Sequence, residues 1–106
     1  DMTEPPLTAE DPHGVSLRLS AQRALWGNVP RSLRAASVAY DGTVIRCRFI
    51  FDGSPSEEDR LLLADAAGEI SGDFPWTFTL AEEFLAVPQP GPMSHLQHLV
   101  FLRFEP

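Results

Sequence analysis

The sequence is expected to fold as an α+β domain of order α-β-β-α-β-β, with a four-stranded, mostly antiparallel sheet and two helices on one face. Three features lead there. Two β-type runs flank Asp41-Gly42. A helix-start signature, Ser54-Pro55-Ser56-Glu57-Glu58-Asp59, opens a stretch with apolar residues at helical spacing. Two further apolar runs, Phe74 to Val87 and Leu96 to Phe104, are separated by a proline-rich segment. Within 106 residues this order suits one domain of two packed layers.

Residues 1–14 hold three prolines, four acidic residues and almost nothing to bury, so they are expected to be a disordered tail ahead of a single domain, 15–106. Val15 to Trp26 carries Leu17, Ala21, Ala24 and Leu25 at i, i+4, i+7 and i+8, an amphipathic helix stopped by Gly27-Asn28 and Pro30. Its opening alternation, Val15-Leu17-Leu19, would also suit a strand.

Leu33 to Phe51 reads as a hairpin centred on Asp41-Gly42. That centre sets Tyr40 opposite Thr43, Val38 opposite Ile45 and Ala36 opposite Cys47. One face then carries Val38, Tyr40, Ile45, Cys47, Phe49 and Phe51 and should face the core. Ser37, Val44, Arg46, Arg48 and Ile50 lie on the other.

The second helix should run from the Ser54–Asp59 start to about Gly72, with the early acids opposing the positive end of the helix dipole. At 100° per residue, Leu63, Ala66, Ala67, Ile70 and Phe74 form the buried stripe, and Glu58, Leu62, Asp65 and Glu69 lie opposite. Phe74 to Val87 reads as a long strand whose alternation Glu82 interrupts, through a bulge near Glu82-Glu83 or a break into two pieces. Pro88 to His95 is a loop. Leu96 to Phe104 is apolar on both faces, which suggests a central strand.

The net charge of −7 excludes wrapping of DNA or RNA, which needs clustered Lys and Arg. It suits a protein that attracts basic partners. A lone cysteine, Cys47, allows no intrachain disulfide and points to a reducing, cytoplasmic compartment. No apolar run approaches the roughly twenty residues that span a bilayer. The first residues lack the basic and apolar regions of a signal peptide.

No catalytic signature is present: no GxSxG, P-loop, GxGxxG, CxxC or HExxH. Glu82 and Glu83 are adjacent on a strand and point to opposite faces, so they cannot act on one atom. Cys47 falls on the core face and reads as a small buried hydrophobe. His95 and His98 are three residues apart, but one lies in a loop and the other starts a strand, so neither a metal nor another cofactor is expected. Trp26 and Trp76 read as core or boundary anchors, with an interface role if exposed. Arg46 and Arg48, with Arg31 and Arg34 before the hairpin, could make a basic patch, but in so acidic a chain they are expected to pair with Glu82, Glu83 or Glu105.

What remains is an acidic helix face. Glu58, Asp65 and Glu69 around Leu62 could dock on a basic surface, with Glu82 and Glu83 as a second group; a merely solvated face is the competing reading.

The run from Ala24 to Ala35 (ALWGNVPRSLRA), then Val38, Tyr40-Asp41-Gly42, Phe49-Ile50-Phe51-Asp52-Gly53 and Ser56-Glu57-Glu58-Asp59, resembles small bacterial α+β proteins akin to the immunity proteins of contact-dependent and polymorphic toxin systems. The resemblance spans nearly all of Val15 to Glu105. It rests on turns, caps and core positions, and so assigns no binding role to any residue. It implies a non-catalytic cytoplasmic module that binds a protein partner, a basic toxin domain such as a nuclease. The alternative is a self-associating structural or regulatory subunit, a homodimer in which the face bearing Val44, Arg46, Arg48 and Ile50 pairs with the acidic helix or with itself.

Overall fold

The computed structural model describes residues 13–106. The elements are α1 (Gly14–Leu25), β1 (Leu33–Asp41), β2 (Val44–Phe51), α2 (Glu57–Gly72), β3 (Thr79–Ala86) and β4 (His98–Leu102). The expected α-β-β-α-β-β order is what the chain adopts. The tail expected over 1–14 falls mostly outside the described residues, and Gly14 already belongs to α1.

The strands lie in the order β3-β2-β1-β4. β1 pairs antiparallel with both β2 and β4, whereas β2 and β3 are parallel. The parallel pair follows from connectivity: β2 leads into α2, which crosses back over the sheet before β3 begins, as parallel neighbours require.

The β1–β2 hairpin keeps the expected faces but not the expected partners. Tyr40 lies opposite Ile45, Val38 opposite Cys47 and Ala36 opposite Phe49. The two central turn residues are Gly42 and Thr43, with Asp41 paired to Val44. Centring on Asp41-Gly42 would ask Asp41 for a positive φ. Here Gly42 alone takes one, at 63°, the pattern of a type II′ turn. A slip of two residues preserves the side-chain alternation. The core face therefore stands, with Val38, Ile45, Cys47, Phe49 and Phe51 buried.

Three further expectations are corrected. β3 begins at Thr79, and its ladder with β2 runs without interruption past Glu82 and Glu83, so no bulge lies there. The irregularities sit instead at Arg34 in β1 and Val100 in β4. β4 is an edge strand, not a central one. Its apolar character on both faces reflects Val100 and Phe101 packing toward the core while Leu99 and Leu102 remain exposed.

Both helices pack on one face. Leu17, Ala21, Ala24 and Leu25 of α1 and Leu63, Ala66, Ala67 and Ile70 of α2 meet the sheet residues in one core, with Phe49 and Phe84 stacked 5.6 Å apart. α1 ends where Gly27 takes φ 75°; the Asn28 N–H donates to Leu25 O and its side chain to Ala24 O. The Ser56 hydroxyl caps α2 by accepting from the Asp59 N–H at 3.0 Å.

The opposite sheet face has its own cover. β3 and β4 occupy opposite edges and run in the same direction, so the chain must return across the sheet between them. Residues 87–97 form this strap. Arg34 donates to Val87 O (2.6 Å) and Gly91 O (3.1 Å), Asp52 accepts from the Gln89 N–H (2.9 Å), and Ser37 accepts from the Leu96 N–H (2.9 Å). Beneath it Ala35, Ser37 and Ile50 are all but inaccessible.

Candidate partner-binding surface

The side of α2 turned away from the sheet collects the carboxylates. Helical spacing places Glu58, Asp65 and Glu69 there, all exposed. None of the three enters an ion pair among the described residues. Nearby acids are tied internally: Glu57 to Arg60 (3.1 Å) and Asp59 to the Ser32 hydroxyl (2.7 Å). Three carboxylates on one helix face generate an outward negative field that no ion pair among the described residues neutralises.

The apolar member of this face is not Leu62. Leu62 is half-buried and packs against the core. The outward leucine is Leu61, 48% exposed, in a shallow depression with Glu57, Glu58, Asp59, Leu62 and Asp65. Among the consecutive leucines 61–63, helical rotation sends Leu63 into the core, Leu62 to its margin and Leu61 to solvent.

The second acidic group splits. Glu82 is exposed on the helix side of the edge strand β3. Glu83 lies on the strap side, where Arg48 Nε donates to it at 2.6 Å and Arg46 approaches at 3.6 Å. The hydrogen bond from Arg48 holds the Glu83 carboxyl below the usual carboxylate range, against an opposing desolvation. Glu83 is thus engaged within the sheet and does not join the α2 face. Arg48 also donates to Ser94 O of the strap (3.0 Å). With Ile50 covered and both arginines paired, the face considered for self-association is largely occupied.

Other candidates resolve simply. Cys47 is buried, and desolvation followed by the charge of Glu82 pushes its thiol up to about 12. His98 is buried at the start of β4, with Arg18 Nη1 3.2 Å from its Nδ1, while His95 is exposed in the strap. No group of three or more His, Cys, Asp or Glu among the described residues could hold a metal ion. No helix there is long and apolar enough to cross a membrane.

Two features escaped the sequence reading. Trp26 and Trp76 are 75% and 91% exposed, not core anchors; each follows a helix end, where the periodicity that would orient it has stopped. Arg34 is buried, with a bidentate bond to Glu105 (2.8 and 2.9 Å) besides its two strap carbonyls. The pairing with Glu105 is among those expected for the arginines; the burial is what escaped, because a basic residue at the start of a strand gives no local sign of a strap folding over it.

No curated protein matches this chain. The family model described as MafI2 immunity protein matches residues 14–105, from the first residue of α1 to the Glu105 that closes on Arg34. The match takes in every helix and strand described above, and the chain belongs to the MafI2 immunity protein family.

Proposed function

We propose that the chain protects a cell by binding a cognate toxin domain non-covalently and blocking its action, without catalysing a reaction itself. The α2 face is the docking surface in this reading. The observation that carries it is the set of exposed carboxylates, Glu58, Asp65 and Glu69, without a counterion among the described residues, arranged about the solvent-facing Leu61. Such a face steers a basic partner and buries one apolar anchor once contact is made. A nuclease is the toxin class that fits best, because its substrate site is built to receive phosphates and a row of carboxylates competes for the same positive groups. Glu82 borders the face from β3. Leu62 supports Leu61 from below, and Glu83 contributes only by holding β3 in place. A nuclease acting on nucleic acid inside the cell would place the encounter in the cytoplasm.

The test is titration calorimetry of the cognate toxin domain against the native chain and Glu58→Arg with Asp65→Arg. Each exposed ion pair contributes about 0.2–1 kcal/mol, and reversal replaces an attraction by a repulsion of similar size. The double variant should therefore lose about 1–4 kcal/mol, or about 5- to 1,000-fold in affinity. Binding of the native chain should weaken with salt, and this dependence should diminish or change sign in the variant. Unchanged affinity and unchanged salt dependence would remove α2 from the interface.

A further inference from the structure

The two edges of the sheet are guarded differently. β3 carries Glu82 and Glu83, and charged side chains are a common defence of a free edge. β4, the other edge, reads His98-Leu99-Val100-Phe101-Leu102, without an acid, a lysine, an arginine or a proline. No carboxylate occurs between Glu83 and Glu105, and Arg103, which follows the strand, is held by Asp52 and Glu105 (3.0 and 3.1 Å). Among the described residues no strand lies beyond β4. The Arg103 N–H points inward to Arg34 O, so strand alternation turns the N–H and C=O of Leu102 outward.

The side chains of β4 are arranged symmetrically along it. Leu99 lies opposite Ser37 and Leu102 opposite Ala35, so both leucines stand on the strap side, 43% and 55% exposed. Val100 and Phe101, between them, pack on the core from the helix side. There they border a shallow cleft with Gln22, Leu25, Trp26 and Val29. Read in either direction, the strand presents a leucine, two helix-side residues and a leucine. A free strand edge is matched by another strand, whose backbone groups have the same spacing. A basic toxin domain finds no carboxylate on α1 or β4 to draw it there. We propose that the occupant is a second copy of the chain, with the two β4 strands antiparallel about a two-fold axis perpendicular to the sheet, between Val100 and Phe101. Leu99 of each copy then meets Leu102 of the other on the strap side, and Val100 meets Phe101 on the helix side. The two four-stranded sheets join into one, and Trp26, 75% exposed, adds apolar cover beside the joint. The same pairing through β3 would set Glu82 and Glu83 of two copies together and is disfavoured by charge. The contact is closed and isologous, so it yields a dimer and no filament. Its ladder is short and irregular at Val100, which places it among small, reversible interfaces. α2 lies over β2 and β3, away from the axis, so the α2 face stays open in the dimer. The association does not rest on the functional reading above.

Sedimentation equilibrium on the purified chain, from micromolar to millimolar, tests the proposal with no toxin present. The expected result is a reversible dimer that salt affects little. Leu102→Pro removes an N–H that faces outward in the single chain, so the fold should persist while the dimer is lost. Leu99→Glu sets a carboxylate against the other copy's Leu102 and should weaken the dimer about tenfold or more. Circular dichroism establishes that each variant is folded. The register has its own test. Leu99→Cys and Leu102→Cys chains, mixed and oxidised, should cross-link to each other, since those positions face across the axis. Either variant alone should not, because like positions are offset along the strands by about 10 Å, beyond the reach of a disulfide; Cys47 is buried and takes no part. Glu58→Arg with Asp65→Arg should leave the dimer intact, whatever it does to toxin binding. A native chain that stays monomeric at millimolar concentration, a dimer indifferent to both Leu102→Pro and Leu99→Glu, or cross-linking of like with like overturns the proposal. A monomeric native chain whose toxin affinity falls with Leu102→Pro would also overturn it, and would give the edge to the toxin.

Discussion

Ile50→Ala asks whether the strap is a true second cover of the sheet. By alternation Ile50 belongs to the face away from both helices, yet it is 1% exposed. Its neighbours across the ladders are Ala35 and Leu85, and among the described residues no helix lies on that side. Removing three carbons forfeits about 0.8 kcal/mol each, or about 2.4 kcal/mol of transfer free energy. A cavity that the strap cannot fill raises the cost, to at most about 5 kcal/mol. The strap is tied at Val87, Gln89, Gly91, Ser94 and Leu96, which limits collapse, so a loss of about 3 kcal/mol is expected. Val44→Ala, on the same face but half-buried at the hairpin end, should lose under about 1 kcal/mol. Urea unfolding followed by tryptophan fluorescence separates the two. With a urea slope of about 1–3 kcal/mol per molar, the Ile50 variant should unfold at least about 1 M earlier than the native chain. Equal losses for both variants, or amide exchange in residues 87–97 as fast as in an unstructured peptide, would refute the strap as a packed layer.

Three other outcomes are expected. Ser56→Ala removes the cap of α2 and should cost about 1 kcal/mol in the same assay; a change within error would mean that the acidic first turn is sufficient to start the helix. The Cys47 thiol, buried and raised to about 12, should resist a disulfide-exchange reagent at pH 8 until the chain unfolds, and labelling of the native chain at the rate of a free thiol would contradict its burial. The carboxyls of Asp52, Asp73, Glu83 and Glu105 are all held below their ordinary range, by hydrogen bonds from the Gln89 N–H, the Ser20 hydroxyl, Arg48 and Arg34 respectively. A depressed folded pKa contributes stability above the unfolded value of about 4, lost as pH falls through the folded value. The urea midpoint should hold between about pH 7 and 5 and fall below it, less steeply in Glu83→Gln; an equally steep fall in that variant would discount the Arg48 bond.

The faces of the hairpin and the buried stripe of α2 were legible because burial imprints a period on the chain. Alternation marks Ile45, Cys47, Phe49 and Phe51, and the 100° rotation marks Leu63, Ala66, Ala67 and Ile70. The hairpin register was not legible. Asp41-Gly42 and Gly42-Thr43 both satisfy the local chemistry, and their two-residue difference leaves the alternation intact. Strand order was also hidden, since it depends on where α2 returns the chain. The burial of Ile50 depends on a segment some forty residues later, so its apolar character looked like a surface hydrophobe. On the candidate site, the carboxylates of α2 were found by their spacing. The helical angle put Leu62 on the same face because it lies between the two directions, and only packing against the core draws it inward and leaves Leu61 as the outward anchor.

The pairing of β4 with β1 sets the order in which the molecule can be completed. Ala35 meets Leu102, and Val38 meets His98. The hairpin and α2 can assemble from neighbouring sequence, but the outer edge of β1 stays unfilled until a segment some sixty residues downstream arrives. During synthesis this edge is the exposed template, and a strand from another nascent chain could occupy it before β4 does. Arg34 bears on that interval, because its carbonyl accepts from the Arg103 N–H (2.8 Å) and its guanidinium donates to Glu105. The arriving segment is thus fastened just beyond its last ladder pair, which favours the chain's own strand over an intruder lacking a carboxylate at that position.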